Sequence, residues 1–414
     1  MHPAIEQTEL DRKYPFLTRE YLEDALGEAA QNCTVVNFTV RRALSKGENF
    51  ASDILRIQLN LRCENGDERT KTFIMKVALV TEGMSDMLEE YDVFFREIVF
   101  YSKILPEIKE ISKELEYNGK LAPDCYKISA KHPQHFIFED LSLNGFVAAD
   151  RRLGLNFTQL ELILEKVAKF HAISAHLYDK DPELMKYHHY RNINEDVQHF
   201  YGLFRNSMLN CAEMALKWPT TAPRIAMKLF KLEQSVIAKG CQVYTLNKAD
   251  FNVLNHGDLW VNNVMYRYNA KGVPIEAMLV DFAISYFGSP AIDLSFLLFT
   301  SSADDVTEEQ FDLLLQSYHQ SLLGTLNQLG YSQKLPTLLD IQEDMLRKGF
   351  IGVMYSTFLL PLRVIEDTAS ADLGNLLGSN EEAVQFRGSL YQNPHYQRRM
   401  EYLLNYFDRK GYLD

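Results

Sequence analysis

The sequence lacks an excess of positive charge. Its 43 Lys and Arg residues are outnumbered by 56 Asp and Glu residues, so the 414-residue chain has a formal net charge of −13. Proteins that bind DNA or RNA usually present an excess of basic side chains to the phosphate backbone. The composition therefore argues against a nucleic acid as a partner.

Long hydrophobic runs are also missing. The longest uncharged apolar stretch, 350–362, contains Gly352, Ser356 and Pro361, and it falls short of the roughly 20 residues that a membrane-spanning helix needs. The first 16 residues carry charges where a signal peptide would have an apolar core. We therefore expect a cytoplasmic protein with no membrane span.

Cysteine is scarce. The chain has no C-x-x-C pair, and its five cysteines stand at positions 33, 63, 125, 211 and 241. An odd number of cysteines with this spacing fits neither a disulfide framework nor a zinc site. We therefore expect reduced and mostly buried thiols.

The first third of the chain is rich in strand patterns. Apolar and polar residues alternate over 55–61, which predicts a strand with one face exposed to water. The Asn-Gly pair at 65–66 favours a tight turn and leads into a second apolar segment at 73–77, so we expect a hairpin. Another strand pattern at 35–40 precedes it, separated by a polar stretch around one glycine at 45–50.

Helical patterns dominate later in the chain. Apolar residues three and four positions apart predict a helix over 91–105, and a buried-strand pattern follows at 135–138. Beyond that strand the pattern changes to longer helices. We therefore expect an α+β protein divided into an N-terminal lobe, 1–140, and a larger, mostly helical C-terminal lobe, 141–414.

One strand-rich island, 252–287, interrupts the helical part and carries polar residues with a recognisable spacing. Asp258 is followed five residues later by Asn263, and Asp281 follows the next strand pattern. Phosphoryl transfer needs a carboxylate at the acceptor hydroxyl and hard oxygen ligands for magnesium. The three side chains supply these parts in the order in which kinases use them.

The island and its flanks resemble the ecdysteroid kinase-like family, which belongs to the protein-kinase-like superfamily together with choline kinases and aminoglycoside phosphotransferases. The most specific matches are HGDLWVNN at 256–263, VDF at 280–282 and YFGSPAIDLSFLLFTS at 286–301. Weaker matches are SKGENFAS at 45–52, FIMK at 73–76, FED at 138–140 and FHAISA at 170–175.

The resemblance implies a two-lobed protein-kinase-like fold, with an antiparallel sheet and a helix in the N-terminal lobe. It also implies an ATP- and Mg²⁺-dependent transfer of phosphate to a small-molecule alcohol, such as an ecdysteroid or another steroid or xenobiotic. Residues 1–140 would bind the nucleotide, and residues 141–414 would supply catalysis and the acceptor site. We expect a monomer or weak dimer.

The resemblance also assigns roles to single residues. Asp258 would be the catalytic carboxylate, and Asn263 and Asp281 would hold magnesium. Lys76 would contact the α/β-phosphates and pair with Glu97. The remaining nucleotide-binding positions would be Ser45, Lys46, Gly47, Glu48, Asn49 and Phe50 in a loop, and Glu139, Asp140 and Leu141 in the hinge.

Three further polar residues are expected to be structural. Asp293 follows Ser289-Pro290, which is typical of a helix start, and an acidic residue in the first turn interacts favourably with the helix dipole. We expect Asp293 to brace the catalytic loop. His171 and His256 are expected to be hydrogen-bonded core histidines rather than metal ligands.

Several alternatives stay open at this point. The family usually has Gln after its Asp-Phe pair, whereas this chain has Ala283, which suggests a nucleotide-binding scaffold with weak catalysis. A choline- or aminoglycoside-type kinase would share the fold, although the choline-kinase loop usually carries Asn in place of Gly257. A metallohydrolase built on His256, Asp258 and Asp281 would leave the N-terminal lobe unexplained.

Overall fold

The computed structural model describes residues 3–27, 33–44, 52–79, 92–189, 193, 201–366, 368, 373–378 and 380–414. The predicted nucleotide loop at 45–50 lies outside the described residues.

A five-stranded antiparallel sheet forms the N-terminal part. Its strands are β1 (Cys33–Arg42), β2 (Ser52–Cys63), β3 (Glu68–Ala78), β4 (Cys125–Ser129) and β5 (His135–Glu139). Their order across the sheet is β1-β2-β3-β5-β4. Gly66 turns the β2–β3 hairpin with a φ of 87°, a value that glycine adopts without strain, so the predicted hairpin is present.

The two faces of this sheet have different partners. Leu55, Ile57 and Leu59 on β2 are fully buried in a core that packs against helices α1 (Pro3–Lys13) and α2 (Arg19–Leu26). Because side chains alternate along a strand, Ile54 and Arg56, on either side of Leu55 in the sequence, point to the other face. There they line a cavity.

The expectation of reduced thiols throughout is wrong for one pair of cysteines. Cys33 and Cys63 form a disulfide, because pairing of β1 with β2 sets these two positions directly opposite each other. Cys125, Cys211 and Cys241 are not part of a disulfide, and the last two are buried.

A helical segment between β3 and β4 packs the sheet against the rest of the molecule. It runs through α3 (Val93–Val99), a π-helical turn (Phe100–Ile104) and α4 (Leu105–Glu114). Its apolar side chains belong to a large core that also contains Phe136 and Phe138 of β5 and most of the later helices. The sheet and the helical part therefore share one core.

The remainder of the chain is mostly helical, as predicted. Its helices are α5 (Phe157–Lys180), α6 (Tyr201–Ala215), α7 (Pro223–Glu233), α8 (Val236–Val243), α9 (Ala291–Ser301), α10 (Glu308–Gln328), α11 (Leu338–Lys348), α12 (Phe350–Arg363), α13 (Leu373–Leu377), α14 (Glu381–Leu390) and α15 (Pro394–Arg409). Among the described residues, no helix combines the length and the apolar character needed to cross a membrane. The division at residue 140 stays a prediction.

Two small antiparallel sheets frame the island between α8 and α9. β7 (Val253–Asn255) pairs with β10 (Tyr286–Gly288), and β6 (Phe146–Ala148), β8 (Val264–Tyr268) and β9 (Pro274–Leu279) form the second sheet. The loop 256–263 connects β7 to β8, and the segment 280–285 connects β9 to β10. These two connections carry Asp258, Asn263 and Asp281.

Candidate active site

Lys76 is buried near the end of β3 and lies between two carboxylates. Its Nζ is 2.7 Å from Oε2 of Glu97 on α3 and 2.6 Å from Oδ1 of Asp281. The first partner lies 21 residues away in sequence and the second 205 residues away. A single ammonium group therefore joins the sheet, α3 and the segment after β9.

The two carboxylates compete for this one ammonium group. Burial would lower the pKa of Lys76, but Asp281 and Glu97 outweigh it and raise the pKa above its usual value. Burial would likewise raise the pKa of Asp281, but Lys76 holds it below the usual range. Glu97 is more deeply buried than Asp281, and burial raises its pKa to about 7.

Asp281 has an unusual backbone conformation. Its φ of 69° lies in the left-handed region, which Asp tolerates better than most residues but still at some cost. The bond to Lys76 helps to hold the side chain in this position.

Asp258 and Asn263 come together because the loop after β7 ends in a short 3₁₀ turn at Val261–Asn263. The Asn263 amide nitrogen donates to Oδ2 of Asp258 at 2.8 Å and to its carbonyl oxygen at 2.9 Å. Burial, together with the nearby Asp281, raises the pKa of Asp258 to about 7, although the Asn263 bond opposes this change. The Asp258 side chain is only partly open to the cavity.

Asp293 holds this loop from below, as expected from the sequence. Its two carboxylate oxygens accept hydrogen bonds from the backbone nitrogens of His256 at 2.7 Å and Gly257 at 2.9 Å. His171 Nε2 lies 3.2 Å from the same carboxylate, and its Nδ1 lies 2.8 Å from the Tyr318 hydroxyl. His171 therefore joins Asp293 to the Tyr318 hydroxyl.

The His256 ring is also committed to the protein. Its Nε2 donates to the Val280 carbonyl oxygen at 3.0 Å, and its Nδ1 accepts from the backbone nitrogen of Asp258 at 3.4 Å. Both ring nitrogens therefore have partners, which fits the expected structural role and leaves neither nitrogen for a metal ion.

A cavity of about 490 Å³ gathers the predicted side chains. Lys76, Glu97, Asp258, Asn263 and Asp281 all line it. The five-stranded sheet, the hinge, β8 and the segment after β9 contribute a first apolar set to the lining, namely Ile54, Ile74, Phe138, Leu141, Met265 and Val280. A second apolar set, which we call the acceptor wall, consists of Ile193, Phe204, Trp260, Tyr355, Phe358 and Leu359.

Ring contacts join members of the acceptor wall to one another. Phe204 makes edge-to-face contacts with Tyr355 and Phe358, at centroid separations of 5.7 and 5.8 Å. Trp260, another member of the acceptor wall, lies two residues after Asp258 in the same loop, and both residues line the cavity. The acceptor wall therefore adjoins Asp258.

The hinge residues all line the cavity, but two of their side chains are bound to the protein. Oε1 of Glu139 accepts from Lys120 Nζ at 2.9 Å and from the Asp124 backbone nitrogen at 2.8 Å. Asp140 is bound by Arg56 and other neighbours. A ligand at the hinge would therefore meet backbone atoms and the Leu141 side chain.

The sequence prediction missed Arg56 and the acceptor wall. Arg56 lies two residues after Ile54, so the strand alternation at 55–61 contained a signal for its position on the cavity face. Tyr355 and Phe358 belong to an apolar helix whose sequence is indistinguishable from an ordinary core helix. The signal for the acceptor wall exists only in the tertiary structure.

The fold is kinase-like, and Lys76, Glu97, Asp258, Asn263 and Asp281 lie together in one cavity of it. The model of the ecdysteroid kinase-like family matches residues 46–331, more than half of the chain. The chain therefore belongs to the ecdysteroid kinase-like family, a family that suggests a small-molecule phosphotransferase. No curated protein matches the chain.

The substitution Asp258→Asn tests the raised pKa of Asp258. A raised pKa means that the folded protein holds the Asp258 proton more tightly than the unfolded chain does. Protonation of Asp258 therefore stabilises the folded protein fully below about pH 4, and this stabilisation is lost as the pH rises through about 7. Asn is neutral throughout. The metal-free variant should therefore gain stability relative to the wild type between about pH 5 and pH 8, by about 1 to 3 kcal/mol, because each pKa unit is worth about 1.4 kcal/mol and solvent screening reduces the effect.

Urea unfolding of both proteins across this pH range, with a chelator present, measures the difference. A stability difference between variant and wild type that does not change with pH would contradict the raised pKa.

Proposed function

We propose that the protein is an ATP- and magnesium-dependent phosphotransferase that acts on a hydroxyl group of a small, uncharged and largely apolar alcohol. An ecdysteroid or another steroid or xenobiotic alcohol fits this description. One observation carries the proposal: Lys76, Asp258, Asn263 and Asp281 converge on one cavity whose lining also includes the hinge and the acceptor wall.

The nucleotide would occupy the hinge side of the cavity. Ile54 and Ile74 of the five-stranded sheet would cover one face of a purine ring. Met265 of β8 and Val280 after β9 would cover the other face. Lys76 then lies toward the phosphates, where its ammonium group offsets their negative charge.

Magnesium would be held by Asn263 and Asp281. The Asn263 amide nitrogen is occupied by Asp258, which turns its oxygen away from Asp258 and makes it available as a ligand. Amide and carboxylate oxygens are the hard ligands that magnesium prefers. When bound, the ion would neutralise charge on the transferred phosphoryl group.

Asp258 acts on the acceptor. As the acceptor oxygen forms its bond to the terminal phosphorus of ATP and the bond to ADP breaks, Asp258 takes up the hydroxyl proton. The acceptor wall adjoins Asp258 and excludes water from the same space, which limits the competing transfer to water.

An uncharged acceptor is favoured over choline or an aminoglycoside. A cationic substrate would need a carboxylate that is free to bind it. Among the described cavity residues, Glu97 is paired with Lys76, Glu139 with Lys120 and Asp140 with Arg56. The remaining carboxylates are Asp258 and Asp281, to which the proposal already assigns roles.

The cytoplasmic location and the monomeric or weakly dimeric state also remain proposals. The disulfide between Cys33 and Cys63 weighs against the location, because disulfides are rare in reducing compartments.

The proposal is tested by turnover of ATP with a panel of hydroxylated steroids, phenols, glycosides and amino alcohols. With the best acceptor, Asp258→Asn should lower turnover by a factor of about 100 to 10,000, the range for loss of a positioned base, while ATP affinity changes little. Chelation of divalent cations should abolish turnover by the wild type. Near wild-type turnover by the variant would refute the role of Asp258, and a preference for amino alcohols would favour the choline-type alternative.

Ala283 offers a second test, because it lines the cavity next to Asp281 and stands where the family usually has Gln. Ala283→Gln should change acceptor affinity or turnover by roughly two- to twelve-fold, the effect of one polar contact. The Michaelis constant for ATP should stay nearly constant because the hinge determines binding of the base. Steady-state kinetics with ATP and acceptor varied separately provides the measurement.

Two results would count against this account. A change confined to the Michaelis constant for ATP would refute the placement of Ala283 near the acceptor. If the wild type transferred phosphate to no acceptor and Ala283→Gln did so, the scaffold alternative would be favoured.

A further inference from the structure

We propose that Arg56 is a nucleotide-binding residue that contacts the base and ribose at the hinge, and that Asp140 positions it there. The inference rests on the proposed function, since it concerns the nucleotide side of the same cavity. It gives Asp140 a positioning role in place of the direct nucleotide contact implied by the resemblance.

Arg56 is placed in the roof of the cavity by the pairing of β2 with β3. It stands directly opposite Ile74 in the strand register, and it shares a strand face with Ile54, two positions earlier. All three residues line the cavity. The guanidinium group therefore lies beside the two isoleucines that would cover a purine ring.

The guanidinium group is held by the hinge. Its Nε lies 2.8 Å from Oδ2 of Asp140, and its Nη2 donates to Oδ1 of Asp140 and to the Ser142 hydroxyl, both at 3.3 Å. The orientation of Arg56 across the cavity is thus set by hinge residues.

Asp140 is itself firmly bound. Only 2% of its side chain is exposed, against 26% for Arg56. It also accepts hydrogen bonds from the Thr72 hydroxyl at 2.9 Å and from the Ser142 backbone nitrogen at 3.1 Å. Burial would raise the pKa of Asp140, but the Ser142 hydroxyl, which donates to Oδ1 at 2.6 Å, lowers it below the usual value together with the Thr72 bond and Arg56, so the carboxylate is ionised.

Part of the Arg56 guanidinium group has no hydrogen-bond partner among the residues that the structure describes. Within the described part of the chain its Nη1 has no hydrogen-bond partner, and a guanidinium group can only donate. Ribose hydroxyl oxygens and purine ring nitrogens can accept such bonds, and the flat group can also stack on a base.

Lys76 and Arg56, the two cations of the described cavity lining, would bind different parts of the nucleotide. Lys76 lies beside Asp281 and Glu97, where the phosphates would bind, whereas Arg56 lies beside Asp140 and Ser142 in the hinge. Arg56 is therefore placed to recognise the nucleoside rather than the phosphates.

The test compares binding of ATP, adenosine and magnesium tripolyphosphate by calorimetry. Arg56→Met should weaken binding of ATP and adenosine about tenfold, the loss expected for a charge-assisted contact, and leave binding of tripolyphosphate unchanged. Because adenosine carries no charge, weaker adenosine binding would not reflect a loss of long-range attraction between charges. Asp140→Asn should weaken adenosine binding by a smaller factor, about threefold, because Asn keeps one acceptor oxygen for Arg56.

Arg62→Met is the matched control. Arg62 lies on the same strand, but its side chain is 62% exposed and pairs with Glu68 on the surface, so this variant should bind all three probes like the wild type. Should Arg56→Met fold poorly, Arg56→Lys keeps the charge but loses the planar fork, and it should weaken adenosine binding about threefold.

The outcomes separate this inference from the proposed function. Unchanged adenosine binding by folded Arg56 variants would overturn the inference while the proposed phosphotransferase stands. Equal losses for adenosine and tripolyphosphate would also overturn it, because they would indicate a general disturbance of the site. A wild type that binds neither ATP nor adenosine would overturn both.

Discussion

The ammonium group of Lys76 is the interaction on which the rest of the site depends. It bonds to Glu97 on α3 and to Asp281 in the segment after β9. Removing an ammonium group and two carboxylates from water is costly, and the cost is recovered only when all partners keep close contact. The sheet, α3 and the segment after β9 are therefore held in one relative arrangement around the cavity.

Neighbouring contacts support the same arrangement from the apolar and polar sides. Phe282, next to Asp281, stacks on Phe100 of the π-helical turn with ring centroids 3.8 Å apart. Asp293 holds the backbone of the loop that carries Asp258. The charged, aromatic and backbone contacts thus restrain different atoms of the same two loops, which leaves Lys76, Asp258 and Asp281 little freedom to separate.

The hairpin and the polar residues of the cavity could be predicted from the sequence, because local patterns and one ordered motif indicate them. Alternation at 55–61 and the Asn-Gly turn identified the hairpin, and the spacing of Asp258, Asn263 and Asp281 identified three polar residues that line one cavity. Contacts between distant segments leave no such local pattern. The Cys33–Cys63 disulfide depends on strand register, and the acceptor wall combines side chains from α6, α12 and loops, so both emerged only from the tertiary fold.

The most direct test of the central claim is product analysis by phosphorus NMR after incubation of ATP, magnesium and an uncharged apolar alcohol with the protein. The account predicts a phosphate monoester of the alcohol and an equal amount of ADP with the wild type. It predicts no ester with Lys76→Met, which removes the ammonium group while keeping an apolar side chain of similar length. Ester formation by this variant at the wild-type rate, or nucleotide binding by the wild type without ester formation from any alcohol tested, would contradict the account.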